Sequence, residues 1–302
     1  MRIALVGLGD IAQKAYLPLL ASDERVTPLL CTRNSAVLDK LARQYRIPEC
    51  FTELGDLLAS RPDAVMIHAA TAVHLELAAQ CLRAGIPTFV DKPLCDTFAG
   101  VESLANLALA QNCPLFVGFN RRYLPAMSEA RGQPLTELNW QKHRHALAGT
   151  PRSFLFDDFI HVLDSLCYYG GVPDGDLHAV LRRCTRQPAL LAGVSVAWQS
   201  GQVAVSGSMN RSAGITEERI DAYGDNLSLH IKNCTRGTMA RDKSVLTLAP
   251  DDWQPVLASR GFVAMLAHWY QQIETGRADG ALIESYLHGH RLAEQLVTLV
   301  GE

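Results

Sequence analysis

A chain of 302 residues, 48% of them hydrophobic, is long enough to bury two cores. Its formal charge of -3, with acids and bases interspersed, leaves no long basic stretch for nucleic acid and no acidic tail. No segment offers the roughly 18 consecutive apolar residues that a bilayer crossing needs, so a cytoplasmic, two-domain protein acting on small molecules is expected, without nucleic-acid or membrane partners.

The chain opens on a short apolar run, Ile3 to Val6, followed at once by Gly7-x-Gly9-x-x-Ala12 and a helix-like segment over 10–21. Strand, glycine turn and helix in that order make a dinucleotide-binding turn: Gly7 allows the tight exit, Gly9 lets backbone approach a pyrophosphate, and small Ala12 lets the helix pack on the sheet. Phosphates would then meet unpaired N–H groups at the helix N-terminus. Strands are predicted over 25–31, 64–68, 86–90 and 114–118, and helices over 35–45, 53–60, 72–84 and 97–111. Gly85 and Thr97 are the expected C-terminal and N-terminal caps of two of these helices.

Alternating strands and helices with short connections force parallel pairing with right-handed crossovers. The prediction is an α/β fold with an N-terminal Rossmann doubly wound parallel sheet over 1–121. Ligands on such sheets bind beyond the carboxyl ends of the strands, where Gly7, Thr32, Thr71, Asp91-Lys92 and Asn120 fall.

Beyond residue 121 the rhythm changes. Period-2 segments over 135–145, 177–187, 189–199, 202–209, 215–223, 227–233 and 244–248, joined by Gly, Asn, Asp and Ser, read as an open, mainly antiparallel sheet. A helix over 154–169 interrupts it, and two more, over 261–274 and 282–299, close an α+β domain of residues 122–302 expected to bind substrate. One face of such a sheet is expected to be covered by a second subunit in a homodimer or homotetramer.

Three places carry chemistry. Where NAD enzymes usually place an acidic residue after the second strand, this chain has Thr32-Arg33, a hydroxyl and a guanidinium suited to a 2′-phosphate, which favours NADP over NAD. Asp91-Lys92-Pro93 puts an ammonium at a strand end, able to shift the acidity of a substrate hydroxyl. In Asp157-Asp158-Phe159-Ile160-His161-Val162-Leu163-Asp164, helical spacing sets Asp157 and His161 on one face with Asp164 one turn on, so that a carboxylate could orient the imidazole, and rotates Asp158 off that face.

Strand alternation sends Lys142 and Arg144 to one face and His143 and His145 to the other. A cleft-lining Arg144 would suit a carboxylate or phosphate on the substrate. His288-Gly289-His290 is expected at the surface, and no metal site is expected. Cys31, Cys50, Cys81, Cys95, Cys113, Cys167, Cys184 and Cys234 have no C-x-x-C spacing and read as buried thiols without disulfides or zinc.

These motifs, together with Thr71-Ala72-Val73-His74 and Gly118-Phe119-Asn120-Arg121-Arg122-x-x-Pro125, resemble the Gfo/Idh/MocA family of oxidoreductases over essentially the whole chain, most closely its bacterial MviM branch. The resemblance implies NAD(P)-linked oxidation or reduction of sugars, polyols or related compounds. It implies catalytic roles for Lys92, His161 and Asp157, and cofactor contacts at Gly7, Gly9, Asp10, Ile11, Thr32, Arg33, Asn34, Thr71, His74, Asp91 and Asn120. Arg122, Lys92, His161 and Arg144 would face the substrate.

Two departures stand out. Phe159 replaces the glycine of the family's D-x-G-x-H, implying a bulkier pocket wall or a different approach, and Ala72 replaces the proline of its T-P-x-x-H, which is minor; Asp91 stands in place of the usual glutamate of E-K-P. The Phe159 departure keeps open a cofactor-bound sensor without turnover. Transient redox serving bond cleavage, with no net change in NADPH, is a third reading.

Overall fold

The computed structural model describes residues 1–301. The chain divides into two compact units, Met1–Gly118 with Phe262–Glu284, and Phe119–Gly261 with Ser285–Glu302. The sequence boundary assigned everything after residue 121 to the second unit. A linear reading of periodicity has no means of seeing that the chain returns to its first core.

In the first unit, β1 (Arg2–Val6), a π-helical turn (Ala12–Tyr16) and α1 (Leu17–Ser22) lead to β2 (Thr27–Cys31), α2 (Ser35–Tyr45), the two-residue β3 (Cys50–Phe51) and α3 (Leu54–Ala59). Next come β4 (Ala64–Ile67), α4 (His74–Arg83), β5 (Thr88–Val90), α5 (Phe98–Ala110) and β6 (Leu115–Val117). The strands pair in parallel in the order β3-β2-β1-β4-β5-β6. β1 and β4 are almost wholly buried apolar residues, as a sheet covered on both faces requires. The strand order reverses beside β1, the switch point at which such sheets open a crevice. Both expected caps are present: Thr97 Oγ1 accepts from the Gly100 amide at 3.3 Å, and Gly85 takes a φ of +69°.

The second unit begins with α6 (Ser128–Arg131) and β7 (Leu135–His143), followed by a π-helical segment (Ser153–Phe159) that runs into α7 (Ile160–Gly170). Then come β8 (His178–Arg183), β9 (Leu191–Ser200), β10 (Val203–Asn210), β11 (Glu217–Gly224), β12 (Leu227–Lys232), β13 (Arg236–Arg241), β14 (Ser244–Leu248) and α8 (Val256–Ser259). They form an eight-stranded sheet, β14-β13-β12-β11-β7-β10-β9-β8, antiparallel except where β7 meets β10. The sequence reading missed β3 and β13, a two-residue edge and a strand of mixed polarity without an alternating pattern.

Alternation sends Leu138, Trp140 and Lys142 of β7, with Glu218, Ile220 and Ala222 of β11, to the buried face. Helix α7 covers that face closely enough that a Cβ on Gly207 of β10 would lie 2.6 Å from Leu166 and 2.8 Å from Val162. The opposite face is polar, with Asn139 donating to Ser206 at 2.7 Å.

The chain ends with α9 (Phe262–Thr275) and α10 (Gly280–Val300). In α9, Trp269 lies 5.9 Å from Phe89 and 5.6 Å from Phe116, ring to ring, in the first unit's core. His290 of α10 is fully buried and hydrogen-bonded to the Tyr286 carbonyl at 2.6 Å, with burial holding its ring down to about 4. The expectation that His288-Gly289-His290 is a surface feature is corrected for His290, because helical period turns it into the core. All eight cysteines are free thiols, six of them buried. Among the described residues no helix is long and apolar enough to cross a membrane.

Candidate active site

In the first unit the site is built on the carboxyl ends of the parallel strands. Gly7 follows β1 with a φ of +84°, and a Cβ there would lie 2.6 Å from the Ala69 amide nitrogen, so the turn accepts only glycine. Gly9 is a glycine for a different reason: it is exposed, and the nearest atom a Cβ would meet is the His68 carbonyl at 3.9 Å. The protein itself does not demand a glycine there, whereas a pyrophosphate lying on the backbone would. Beyond it the helical segment begins at Asp10, with no side-chain cap at Ile11 ahead of the π-helical turn, and a helix N-terminus is the anion-binding end. These features fit a dinucleotide.

The other expected cofactor residues divide. Thr32 and Arg33 stand beyond β2 with Arg33 exposed, and Glu53 and Asp56 act on Cys31 at the end of that strand. Asn34 is the N-cap of α2, its Oδ1 accepting from the Val37 amide at 3.1 Å. Asp10 is exposed and paired with Lys14 at 2.8 Å, and Ile11 and Thr71 are partly exposed. His74 is corrected: it is 2% exposed, with ring nitrogens 2.8 Å from the Pro93 carbonyl and 3.0 Å from the Ala69 carbonyl. It ties the loop after β4 to the Asp91-Lys92-Pro93 loop, and so serves as a strut that holds two strand ends together.

Asp91 and Lys92 follow β5, and the Lys92–Pro93 peptide is cis. The Tyr16 hydroxyl donates to Asp91 Oδ1 at 2.9 Å, and Gly118 leaves room for both groups, since a Cβ there would lie 2.8 Å from that hydroxyl. Burial pushes the Asp91 carboxyl up, against the pull of Lys92 beside it. Under this layer His68 stacks on Tyr16 at 4.1 Å, buried with neither ring nitrogen hydrogen-bonded, and burial drives its ring down to about 3.

In the second unit the polar end of the sheet's buried face gathers a charged cluster under the helix. Arg121 donates to both oxygens of Glu218 at 2.8 Å, to Asn120 Oδ1 at 3.2 Å and, through Nη1, to His161 Nδ1 at 3.1 Å. Glu218 also accepts from Trp140 Nε1 at 2.8 Å. Against the upward push of burial, Arg121 holds Glu218 down to about 2. A guanidinium can only donate, so Nδ1 of His161 accepts and the proton of the neutral ring sits on Nε2.

The cluster continues into Asp158, whose carboxylate takes Lys142 at 2.5 Å, Arg144 at 2.8 and 2.9 Å, and Arg211 at 3.0 Å. Burial raises the Asp158 carboxyl, but Lys142 and Arg144 more than reverse this and leave it well below the usual range. Burial and the neighbouring Arg121 bring Lys142 down to about 7, with Asp158 and Glu218 opposing.

Several assignments from helical spacing are corrected here. Asp158 is 6% exposed and faces inward beside His161, while Asp157 is exposed and accepts from Ser153 at 3.0 Å. The cause is the π-helical segment Ser153–Phe159, whose wider i→i+5 turn shifts the alignment that an α-helix would give. Asp164, one turn past the histidine, grips Arg122 through three contacts of 2.6 to 3.2 Å. Arg122 is therefore not a substrate-facing residue: it is 1% exposed and donates to Ser285 Oγ at 2.7 Å.

Asn120, expected at the cofactor, is 7% exposed and has both ends of its amide engaged, by the Arg260 carbonyl at 2.9 Å and by Arg121. Phe159 is fully buried core. Lys142 and Arg144 do share a face, and Arg144 keeps 33% of its side chain exposed.

The sequence reading missed Arg121, Glu218 and Arg211. Arg121 was masked by the adjacent Arg122, and Glu218 by Glu217. The one available signal for Glu218 was strand alternation, which carries it inward with Ile220 and Ala222.

Comparison with known proteins identifies the family and the fold. Residues 1–119 match the family described as "Oxidoreductase family, NAD-binding Rossmann fold", and residues 124–242 match "YceM-like, C-terminal domain". A Gfo/Idh/MocA family oxidoreductase structure from Vibrio cholerae is 44% identical with a TM-score of 0.93, all of each chain being covered. The MviM dehydrogenase structure from Clostridium difficile is 26% identical with a TM-score of 0.91, covering 99% of both chains. The YceM protein of Salmonella typhimurium is 29% identical over 98% of this chain and 97% of its own length.

Proposed function

The chain belongs to the Gfo/Idh/MocA family, an NAD(P)-dependent oxidoreductase family, and on that premise we propose that it moves hydride between NADP(H) and a sugar, polyol or related hydroxy or keto compound. The observation that carries the reading is the glycine turn: Gly7 is required by the fold, while Gly9 stands open where no protein atom demands it. The turn and the helix start behind it would hold the pyrophosphate, with Asp10, Ile11, Thr71 and Asp91 around the dinucleotide. Thr32 and Arg33 would hold a 2′-phosphate, since a hydroxyl and a guanidinium bind that group where a carboxylate would repel it. The nicotinamide, when bound, supplies or accepts the hydride.

Lys92 would carry the proton of the substrate hydroxyl. With Arg121 occupying Nδ1, His161 would act through Nε2–H, donating a hydrogen bond to the substrate oxygen and polarising a carbonyl. Asp157, although exposed, remains the proposed partner of the His161 helix turn. A polyol substrate is supported by the myo-inositol dehydrogenase of Streptomyces leeuwenhoekii, 32% identical over 44% of this chain. The polar outer face of the eight-stranded sheet is the proposed contact with a second copy of the chain, and light scattering in solution would test it.

The central test mixes purified protein with NADPH or NADH and a panel of keto-sugars and, in reverse, polyols. Lys92→Ala is expected to keep NADPH binding while losing turnover, and Arg33→Ala to weaken NADPH binding without weakening NADH. A Lys92→Ala enzyme as fast as the parent would remove the lysine from the mechanism, and equal loss of both nucleotides in Arg33→Ala would remove the NADP preference.

A further inference from the structure

The charged cluster of the second unit is not electrically balanced. Arg121, Lys142, Arg144 and Arg211 face two carboxylates, Asp158 and Glu218, and all four carboxylate oxygens already accept from these cations. Among the described residues the other carboxylate acting on Arg211 is Asp157, which is exposed and bound to Ser153. Arg211 is 6% exposed, so its guanidinium charge lies where water does little to screen it. A second observation is independent of charge: Arg211 Nε is buried and donates to nothing. A folded protein that keeps guanidinium groups and an unused buried N–H around one shared carboxylate has the donor set of an anion site, because guanidinium groups match the planar, multi-acceptor geometry of carboxylate and phosphate.

The cluster is continuous with the proposed chemistry, because Arg121 hydrogen-bonds both Glu218 and His161. It is also accessible from one side, through Arg144. We propose that this cluster recognises an anionic group, a carboxylate or a phosphate, on the substrate, with Arg144 and Arg211 receiving it and Asp158 fixing the spread of the cations. This rests on the oxidoreductase reading above and narrows its substrate class to sugar acids or sugar phosphates.

The test measures binding of D-gluconate, D-glucose 6-phosphate and neutral D-glucose to the parent and to Arg144→Gln, by calorimetry with and without saturating NADPH. At least one anionic probe is expected to bind at least tenfold more tightly than glucose, and which of the two does so separates a carboxylate from a phosphate site. Arg144→Gln is expected to lose tenfold or more of that affinity, and Arg144→Lys to recover part of it. On the parent alone, raising KCl from 50 to 500 mM should weaken the anionic probe and leave glucose unchanged, which holds the test open even if the variant does not fold. Glucose binding as tightly as both anions, or Arg144→Gln within twofold of the parent, overturns the proposal. NADPH affinity measured on the same samples keeps the two readings apart: intact nucleotide binding without anion selectivity sinks this inference alone.

Discussion

Breaking the Arg122–Asp164 pair should reveal an asymmetry between its two charges. Asp164 is 1% exposed and Arg122 is enclosed by Tyr286, Tyr168 and Phe119 at 4.7, 4.9 and 5.5 Å. Asp164→Leu strands a guanidinium that cannot shed its proton, at a cost of about 3–5 kcal/mol, or roughly 6–20 °C in Tm for a unit of this size.

Arg122→Met strands a carboxyl that can be neutralised instead. Burial already pushes Asp164 up against the pull of Arg122, and without the arginine its folded value rises further above the unfolded one. A carboxyl raised in the folded state contributes its stability below the unfolded value, near 3.9, and loses it as pH climbs through the folded one. Arg122→Met should therefore be closer to the parent at pH 5.5 than at pH 8, whereas Asp164→Leu has no carboxyl left there to titrate and its own stability should not follow that trend. The double variant, with both charges replaced by apolar groups, should recover most of the loss. Thermal unfolding followed by circular dichroism at the two pH values measures all three, and a double variant less stable than either single one would refute the reasoning.

The glycine turn offers a paired test. Gly7→Ala should lower Tm and abolish NADPH binding together, because its Cβ meets Ala69 backbone at 2.6 Å; Gly9→Ala should keep the parent's Tm and lose about tenfold or more in NADPH affinity by fluorescence titration. His68 is buried neutral, with a folded value of about 3 against 6.5, so its contribution is present above pH 6.5 and lost as pH falls toward 3, worth roughly 5 kcal/mol in all. A His68→Phe variant, which keeps a ring against Tyr16, should lose less stability than the parent between pH 6.5 and 3.5 in urea titrations, and an identical acid slope in both would remove His68 as the cause. Gly207→Ala should cost about 1–3 kcal/mol by wedging α7 off the sheet, read as a lowered urea midpoint, with no change expected in NADPH affinity.

The first half of the fold was open to reading because each βα repeat is a local pattern: apolar runs, caps such as Thr97, and a glycine turn at the first strand end. The second sheet followed from period-2 alternation, which also put Lys142 and Arg144 on one face. What neighbouring residues of the same kind do could not be read. Arg121 reaches Glu218 and His161 while Arg122 is locked onto Asp164, and Asp158 is buried among cations while Asp157 meets solvent.

In each pair, one step along a helical turn exchanges a core position for a site position. For Asp157 and Asp158 the π-helical segment Ser153–Phe159 decided which residue took which, and for Arg121 and Arg122 the 3-10 turn Asn120–Tyr123 did. The sequence by itself determined every strand but β3 and β13, the glycine turn and the family, since these depend on short-range pattern and steric limits. The tertiary structure alone decided which charges meet, because ion pairing joins residues up to 142 positions apart in the chain, as between Arg152 and Glu294, and turns on rotations that no local pattern encodes.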